Sequence, residues 1–200
     1  STVGGSGYFD GTGDYLSLTG GVTDNGTGDL TFEAWVYYTG TYADYTTVFD
    51  SRTSPYTNGF AVSGNITNGN WGFNFAITDI ATSVPIAKNA WTHVAVTRSG
   101  NTFRMFINGV LQGTVTSTNN LTSTTNRIGS NYSNAQLWIG YIGDLRVIKG
   151  SIPTAYQTSS TTVGASIFTP PTAPLTAVSG TSLLLSYTNA GIIDATAKND

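Results

Sequence analysis

The chain has 200 residues, 39% of them hydrophobic and only 10% charged, against ~25% charged in an average globular domain. Eight Lys and Arg against eleven Asp and Glu leave a net charge of −3, which excludes a nucleic-acid role because phosphate binding needs clustered basic residues. No apolar run approaches the ~20 residues of a spanning helix, so no membrane insertion is expected, and the absence of cysteine leaves the fold to its core alone.

Thr, Ser, Asn and Gly supply the polar balance, which suits strands and tight turns rather than helices. In chain order, alternating runs predict strands over residues 8–9, 15–18, 30–38, 47–49, 60–62 and 71–77. The clearest pattern follows. The stretch 90–112 reads as two alternating strands joined by a Ser99-Gly100-Asn101 turn, and Asn108-Gly109 is a strong type I′ turn signal because both residues tolerate positive φ. Val94 and Val96 point one way, and Trp91, His93, Ala95 and Thr97 the other. Phe103, Met105 and Ile107 share one face, with Arg104 and Phe106 opposite. Apolar groups on both faces place these strands inside a sheet rather than at its edge. Further strands are predicted over 110–115, 126–128 and 137–147.

The character changes beyond Ile152. Phe168-Thr169-Pro170-Pro171-Thr172-Ala173-Pro174-Leu175 cannot enter a sheet interior, since proline lacks the ladder donor, and it reads as an extended surface strap. Residues 181–187 are then a last apolar strand, expected to dock beside the N-terminal strand and close a sandwich. The organisation expected is a β-sandwich over 1–165, followed over 166–200 by the Pro-rich strap and closing strand. Residues 190–200 read as a lead-in to a further segment, and a chain opening on Ser1 is expected to be a processed product or a fragment.

The block from Trp91 to Arg98 with Ile107-Asn108-Gly109 resembles the W-x-H-V-A-V-T-R … L-Y-V-N-G hairpin of laminin-G-like domains, within the concanavalin A-like lectin/glucanase superfamily. Phe9-Asp10-Gly11-Thr12-Gly13-Asp14-Tyr15-Leu16, Leu30-Thr31-Phe32-Glu33-Ala34-Trp35-Val36 and Gly140-Tyr141-Ile142-Gly143-Asp144-Leu145-Arg146-Val147 are similar to further blocks of that family, in its order. The resemblance implies an all-β, two-sheet antiparallel jelly-roll sandwich. It also implies that Trp35, Trp91 and Trp138 occupy core positions. The tail from Phe168 onward resembles the connector after laminin-G-like units in virion proteins of marine phages, cyanophages especially.

No catalytic residue is expected. The glucan-cleaving members of the superfamily set two or three carboxylates along one face of a strand, and retaining hydrolysis needs a pair ~5–5.5 Å apart. Glu33 is the sole glutamate, and its same-face neighbours are Thr31, Trp35 and Tyr37. A structural pair with Arg104 or Arg146 is the expected role of Glu33. His93, the sole histidine, has no nucleophile motif to serve and reads as a strand histidine beside Trp91.

Hard cations take carboxylate and carbonyl oxygens, and the loops at 10–14 and 24–29 offer Asp, Asn and Gly. Members of the superfamily frequently bind calcium at a sheet edge, and Asp144 matches an acidic family position. The resemblance therefore implies a Ca2+ ion held by Asp10, Asp14 and Asp144, and ordinary Asx-turn loops are the alternative at both 10–14 and 24–29. Sugar recognition relies on aromatic rings with amide and carboxylate groups. Tyr42, Tyr45, Tyr56 and Tyr132 lie among Thr, Ser, Asn and Asp, and Trp71 follows Asn68-Gly69-Asn70, so these five are the expected carbohydrate-binding residues.

The reading that follows is a non-enzymatic module of a phage virion appendage or decoration protein, on the virion surface, presenting a glycan-recognition face. Its expected partners are other virion subunits or copies of itself, and host surface polysaccharide. The alternative is an extracellular carbohydrate-binding domain of a bacterial surface or secreted protein.

Overall fold

The computed structural model of the chain describes residues 4–42, 45–55, 58–64, 68–75 and 78–187. Its strands are β1 (Ser6–Asp10), β2 (Leu16–Thr19), β3 (Leu30–Tyr38), β4 (Thr46–Asp50), β5 (Phe60–Gly64), β6 (Asn70–Phe75), β7 (Thr78–Pro85), β8 (Trp91–Ser99), β9 (Thr102–Ile107), β10 (Val110–Thr116), β11 (Thr125–Ile128), β12 (Ile139–Lys149) and β13 (Thr181–Leu185). One 3-10 turn, Thr154–Tyr156, interrupts the passage from β12 to β13. A seven-stranded sheet runs β1-β12-β3-β8-β9-β10 with β13 also on β12, and a six-stranded sheet runs β2-β11-β4-β5-β6-β7. The pairings within both are antiparallel, giving the expected jelly-roll sandwich.

Strand alternation builds the core between the sheets. Phe32 and Phe103 project from one sheet, and Phe49, Phe60, Phe73 and Phe75 from the other, all fully buried. Their rings form a continuous chain, with centroids 5.0 Å apart for Phe32–Phe49, 5.3 Å for Phe49–Phe60, 5.7 Å for Phe60–Phe73 and 5.2 Å for Phe73–Phe103. Each such side chain contributes roughly 1.5–3 kcal/mol on burial, so this chain of rings is a principal source of stability. Arg98 ends the core-facing stripe of β8. It is fully buried, donates to the carbonyls of Gly100, Gly26 and Ser117, and lies 5.0 Å from the Phe103 ring.

β8 and β9 lie inside the sheet, as their two-faced apolar pattern requires. Val94, Val96, Phe103, Met105 and Ile107 join the inter-sheet core. Ala95 and Phe106 instead form a second cluster on the outer face with Leu111, Tyr156 and Phe168. The segment after β12 supplies that cover. Asn108 and Gly109 have φ of 49° and 77°, as a type I′ turn demands.

Two elements differ from the sequence reading. β7 was not predicted, because its alternation runs through Ile80, Thr82 and Val84 with one polar residue among them, and Pro85 closes it. It is an edge strand, where such a sequence is tolerated. The closing strand does not lie beside β1. β13 pairs with Leu145 to Ile148 of β12, while β1 pairs with the preceding residues 139–143, so the two strands follow end to end along one side of β12. The Gly5 N–H donates to the Ser186 carbonyl at 2.8 Å where they meet. Leu183 and Leu185 thereby reach the inter-sheet core of their own chain. Residues 190–200, read as a lead-in to a further segment, lie outside the described residues.

Candidate functional site

The outer face of the six-stranded sheet carries a groove over β5, β6 and β7. In β6 the parity is strict: Trp71, Phe73 and Phe75 point to the core, so Asn70, Gly72 and Asn74 point out. Cross-strand register then lines up Ser63, Gly72 and Ala81 in one row, and Ala61, Asn74 and Asp79 in the next. The first row is small, which lowers the floor. A side chain built on Gly72 would meet its nearest atoms only at 3.8 Å, so space is open there. Asn70, Asn74, Asp79 and Thr82 border the floor, Tyr45 stands at the rim with 40% of its surface exposed, and the groove holds about 320 Å³. Asn70 Nδ2 donates to the Thr82 carbonyl at 3.1 Å, and the Asn70 N–H donates to Asn68 Oδ1 at 3.0 Å. The first bond fixes the Asn70 side-chain amide, and the second fixes its backbone. Convergent amides, a carboxylate, hydroxyls and one exposed ring can bind a hydroxyl-rich neutral ligand.

The five expected sugar-binding residues are not brought together. Tyr45 lies at the groove rim. Trp71 lies beneath the floor, 1% exposed, with its ring 6.3 Å from Trp138 in the core. The parity of β6 turns it inward, which corrects its expected place at a rim. Tyr42 is also a packing residue. It stacks on Tyr38 at 5.8 Å, its hydroxyl donates to the Ile86 carbonyl, and the Lys88 ammonium lies 4.2 Å from its ring centre. Tyr132 sits at the opposite end of β4 from Tyr45. There its N–H donates to Asp50 Oδ2 at 3.0 Å, and the Arg52 guanidinium lies 5.4 Å from its ring. Tyr56 lies outside the described residues.

The three aspartates proposed for calcium do not form one site either. Asp10 Oδ1 accepts from the Thr12 N–H at 2.6 Å and Asp14 Oδ2 from the Asp10 N–H at 3.2 Å, the geometry of an Asx-turn loop. Asp10 pairs with Ile139, whereas Asp144 follows Gly143, the partner of Ser6. The length of β1, about 14 Å at ~3.4 Å per residue, separates them. Among the described residues no three His, Asp or Glu side chains are grouped as metal ligands, so these aspartates do not fit a shared ion. Asp144 instead occupies a bulge in β12 with φ of 45° and is fully buried. Burial raises its pKa, against the lowering pull of the Gly4 and Leu175 amides. A raised folded-state pKa means that its charge opposes folding above that pKa. Asp144→Asn, which tolerates the same φ, is expected to raise the melting temperature at pH 7, by about 2–4 °C per kcal/mol relieved. A calorimetric scan showing a fall of that size would identify the carboxylate as a needed anion.

Glu33 is the hub of a buried polar cluster. Arg146 donates to its Oε1 from Nε at 2.9 Å and from Nη2 at 2.6 Å, and the Tyr156 hydroxyl donates to Oε2 at 2.7 Å. His93 Nε2 lies 3.2 Å from Oε2 and completes it. Burial pushes the Glu33 pKa up, but the His93 hydrogen bond and the Arg146 charge outweigh it, holding the carboxyl below its ordinary range. The Arg146 partner is as expected from sequence. Arg104 instead donates to the Ser160 carbonyl at 3.2 Å. Tyr156 stacks on Phe168 at 4.0 Å, and Arg146 Nη1 donates to the Thr176 carbonyl at 2.7 Å. The cluster thus ties the segment after β12 to the sheet. Glu33 and His93 are fully buried and present no edge to a substrate.

Sequence reasoning did not single out Asn70, Asn74 or Asp79. The Asn-Trp-Gly-Phe-Asn-Phe alternation of β6 carries the signal for the first two, but Asp79 depends on β7 and its register.

Two antiparallel sheets, an aromatic inter-sheet core and a polar groove on an open sheet face define a lectin-type β-sandwich. The chain belongs to the concanavalin A-like lectin/glucanases superfamily, the Laminin_G_3 family matching residues 10–155. Among solved structures, it is similar to a candidate carbohydrate-binding protein from Bacteroides ovatus, with a TM-score of 0.68 and 14% identity over 98% of this chain. It spans 56% of that protein's chain. It is also similar to domain 4 of an extracellular arabinanase from Geobacillus stearothermophilus, solved with arabinotriose (TM-score 0.56, 19% identity, 77% of this chain and 84% of that one). A third likeness is to the tailspike protein 2 enzymatically active domain of bacteriophage CBA120 (TM-score 0.54, 14% identity, 74% of this chain and 26% of that one). No curated protein matches by sequence.

Proposed function

We propose that the chain is a non-catalytic adhesion module that recognises polysaccharide through the groove on β5, β6 and β7. The observation that carries this reading is the row Ser63, Gly72, Ala81, kept small beneath a border of Asn70, Asn74 and Asp79, with Tyr45 exposed at the rim. A packing-only face has no need of an unfilled glycine flanked by outward amides and a carboxylate. The sugar-binding descriptions of the Bacteroides and Geobacillus proteins support the same reading. An open groove of this size gives weak single-site affinity, which becomes useful through repeated display. The setting we propose is the surface of a phage virion, with other virion subunits or further copies of the chain as neighbours and host surface polysaccharide as ligand. That setting rests on the likeness of the segment from Phe168 onward to phage virion connectors. An extracellular bacterial protein is the second setting.

Asn74→Ala and Asp79→Ala are expected to weaken binding of a recognised polysaccharide by about ten-fold each, as for a lost ligand hydrogen bond of ~1.4 kcal/mol, with unchanged melting temperature. Affinity electrophoresis measures this. Retained mobility shifts in both variants would place the sugar elsewhere.

A further inference from the structure

The outer face of the seven-stranded sheet is divided. The segment after β12 covers the part around Ala95, Phe106 and Leu111. Beyond that cover, Tyr8 of β1, Tyr141 of β12, Tyr37 of β3 and Trp91 of β8 are direct cross-strand partners in a single row. Their successive ring centroids lie 5.0, 6.0 and 5.6 Å apart. Tyr8 is 56% exposed and Tyr141 38%, while Tyr37 and Trp91 are half-buried. Trp91 was expected in the core. Its parity with His93 and Ala95 places it on this outer face instead, with Trp35, and only Trp138 of the three is a core residue. An open hollow of about 450 Å³ lies against the Tyr141, Tyr37 and Trp91 part of the row, bordered also by Ser6, Thr39 and Asn89.

We propose that this row is a second carbohydrate-binding surface, taking neutral pyranose units of a soluble polysaccharide. It rests on the reading of the chain as a glycan-binding module, but not on the groove of the opposite sheet. The chemistry of the lining selects the ligand. None of the six residues bordering the hollow is charged, so a phosphate, sulfate or carboxylate finds no counter-charge. Rings that carry hydroxyl and indole N–H edges, next to exposed Ser6, Thr39 and Asn89, match a ligand with apolar C–H faces and hydroxyl rims. Area argues against a protein partner. The exposed ring surface is on the order of 200–300 Å², far below the ~800 Å² that each side of a stable protein interface buries. The rings also exclude one kind of glycan. Their planes meet at 50°, 76° and 59° along the row, so the surface is corrugated and seats individual sugar units rather than the flat face of a crystalline polymer.

The test is an NMR titration of the intact chain with short neutral oligosaccharides of glucose, xylose, galactose, mannose and arabinose. The Trp91 indole resonance reports on the row, and the Asn74 and Asn70 side-chain amides report on the groove. A sugar is expected to shift the Trp91 indole, and the shift is expected to persist in a Gly72→Gln variant whose groove is filled. Tyr141→Ala and the edge-strand variant Tyr8→Ser are expected to weaken that sugar by about ten-fold and a few-fold respectively. The wild-type titration needs no variant to fold. If groove amides move while the Trp91 indole stays fixed with every sugar, the row is overturned and the groove reading stands. If the indole moves and Gly72→Gln changes nothing in total binding, the row stands and the groove reading fails. Silence at both reporters overturns both.

Discussion

Glu33→Ala is expected to destabilise the fold by about 3–5 kcal/mol, because it leaves the Arg146 guanidinium buried without its carboxylate. That is a large part of the ~5–15 kcal/mol typical of a domain. Two other contacts fail with it: the Tyr156 hydroxyl and His93 Nε2 both lose their acceptor inside the sheet. Replacing the pair by apolar residues is a different experiment, since well-packed isosteres of a buried ion pair are often tolerated. The same carboxylate gives a pH signature. Its folded-state pKa is depressed, so its stabilisation is complete above its unfolded value near ~4.3 and is lost as pH falls through the folded value. Urea melts at successive pH values should show wild type losing stability below pH ~4.3 more steeply than Glu33→Gln. Parallel curves would show that the carboxylate is not the stabilising group.

Truncation after residue 165 is expected to abolish folding altogether. It removes Phe168, Leu175, Leu183, Leu184, Leu185 and Tyr187, all of them buried. At roughly 1.5–3 kcal/mol per side chain, the loss is about 9–18 kcal/mol, comparable to or larger than the whole stability of a domain. It also strips the β13 partner from Leu145 to Ile148 and bares a sheet edge. The sandwich read over 1–165 is therefore not expected to stand without 166–187. Circular dichroism and size-exclusion of the truncated chain measure this, and a cooperative thermal transition near that of the full chain would contradict it.

How much of this was legible depended on whether information was local. The nine-residue alternation of β3 and the Asn108-Gly109 turn predict their elements to the residue, because face and turn chemistry are written in neighbouring positions. The Glu33–Arg146 pair was legible as one of two choices, and only register, Arg146 opposite Glu33, decides between them. Tyr42 misleads because its local composition is that of a polar loop, yet it packs over Tyr38 and against Gly69, where φ of +67° and the missing side chain make room. Trp71 misleads for the opposite reason: Asn and Gly neighbours suggest a rim, while strand parity sends the ring inward. Asp144 is displaced from the Asp10 loop by the length of a strand, a distance that no linear motif expresses. The row Tyr8, Tyr141, Tyr37 and Trp91 draws one residue from each of four strands. It exists only once three registers are fixed.

The groove is the centre of the functional account, and filling it is the most direct test. Gly72 has ordinary backbone φ and open space above it, so Gly72→Gln occupies the floor without forcing the sheet apart. Wild type and Gly72→Gln, each displayed multivalently, would be compared on an array of bacterial surface polysaccharides. Selective binding by wild type, reduced about ten-fold or more by the filled groove at equal melting temperature, is the result expected. Equal binding by the two, or no binding by a folded and multivalent wild type, would contradict recognition through this groove.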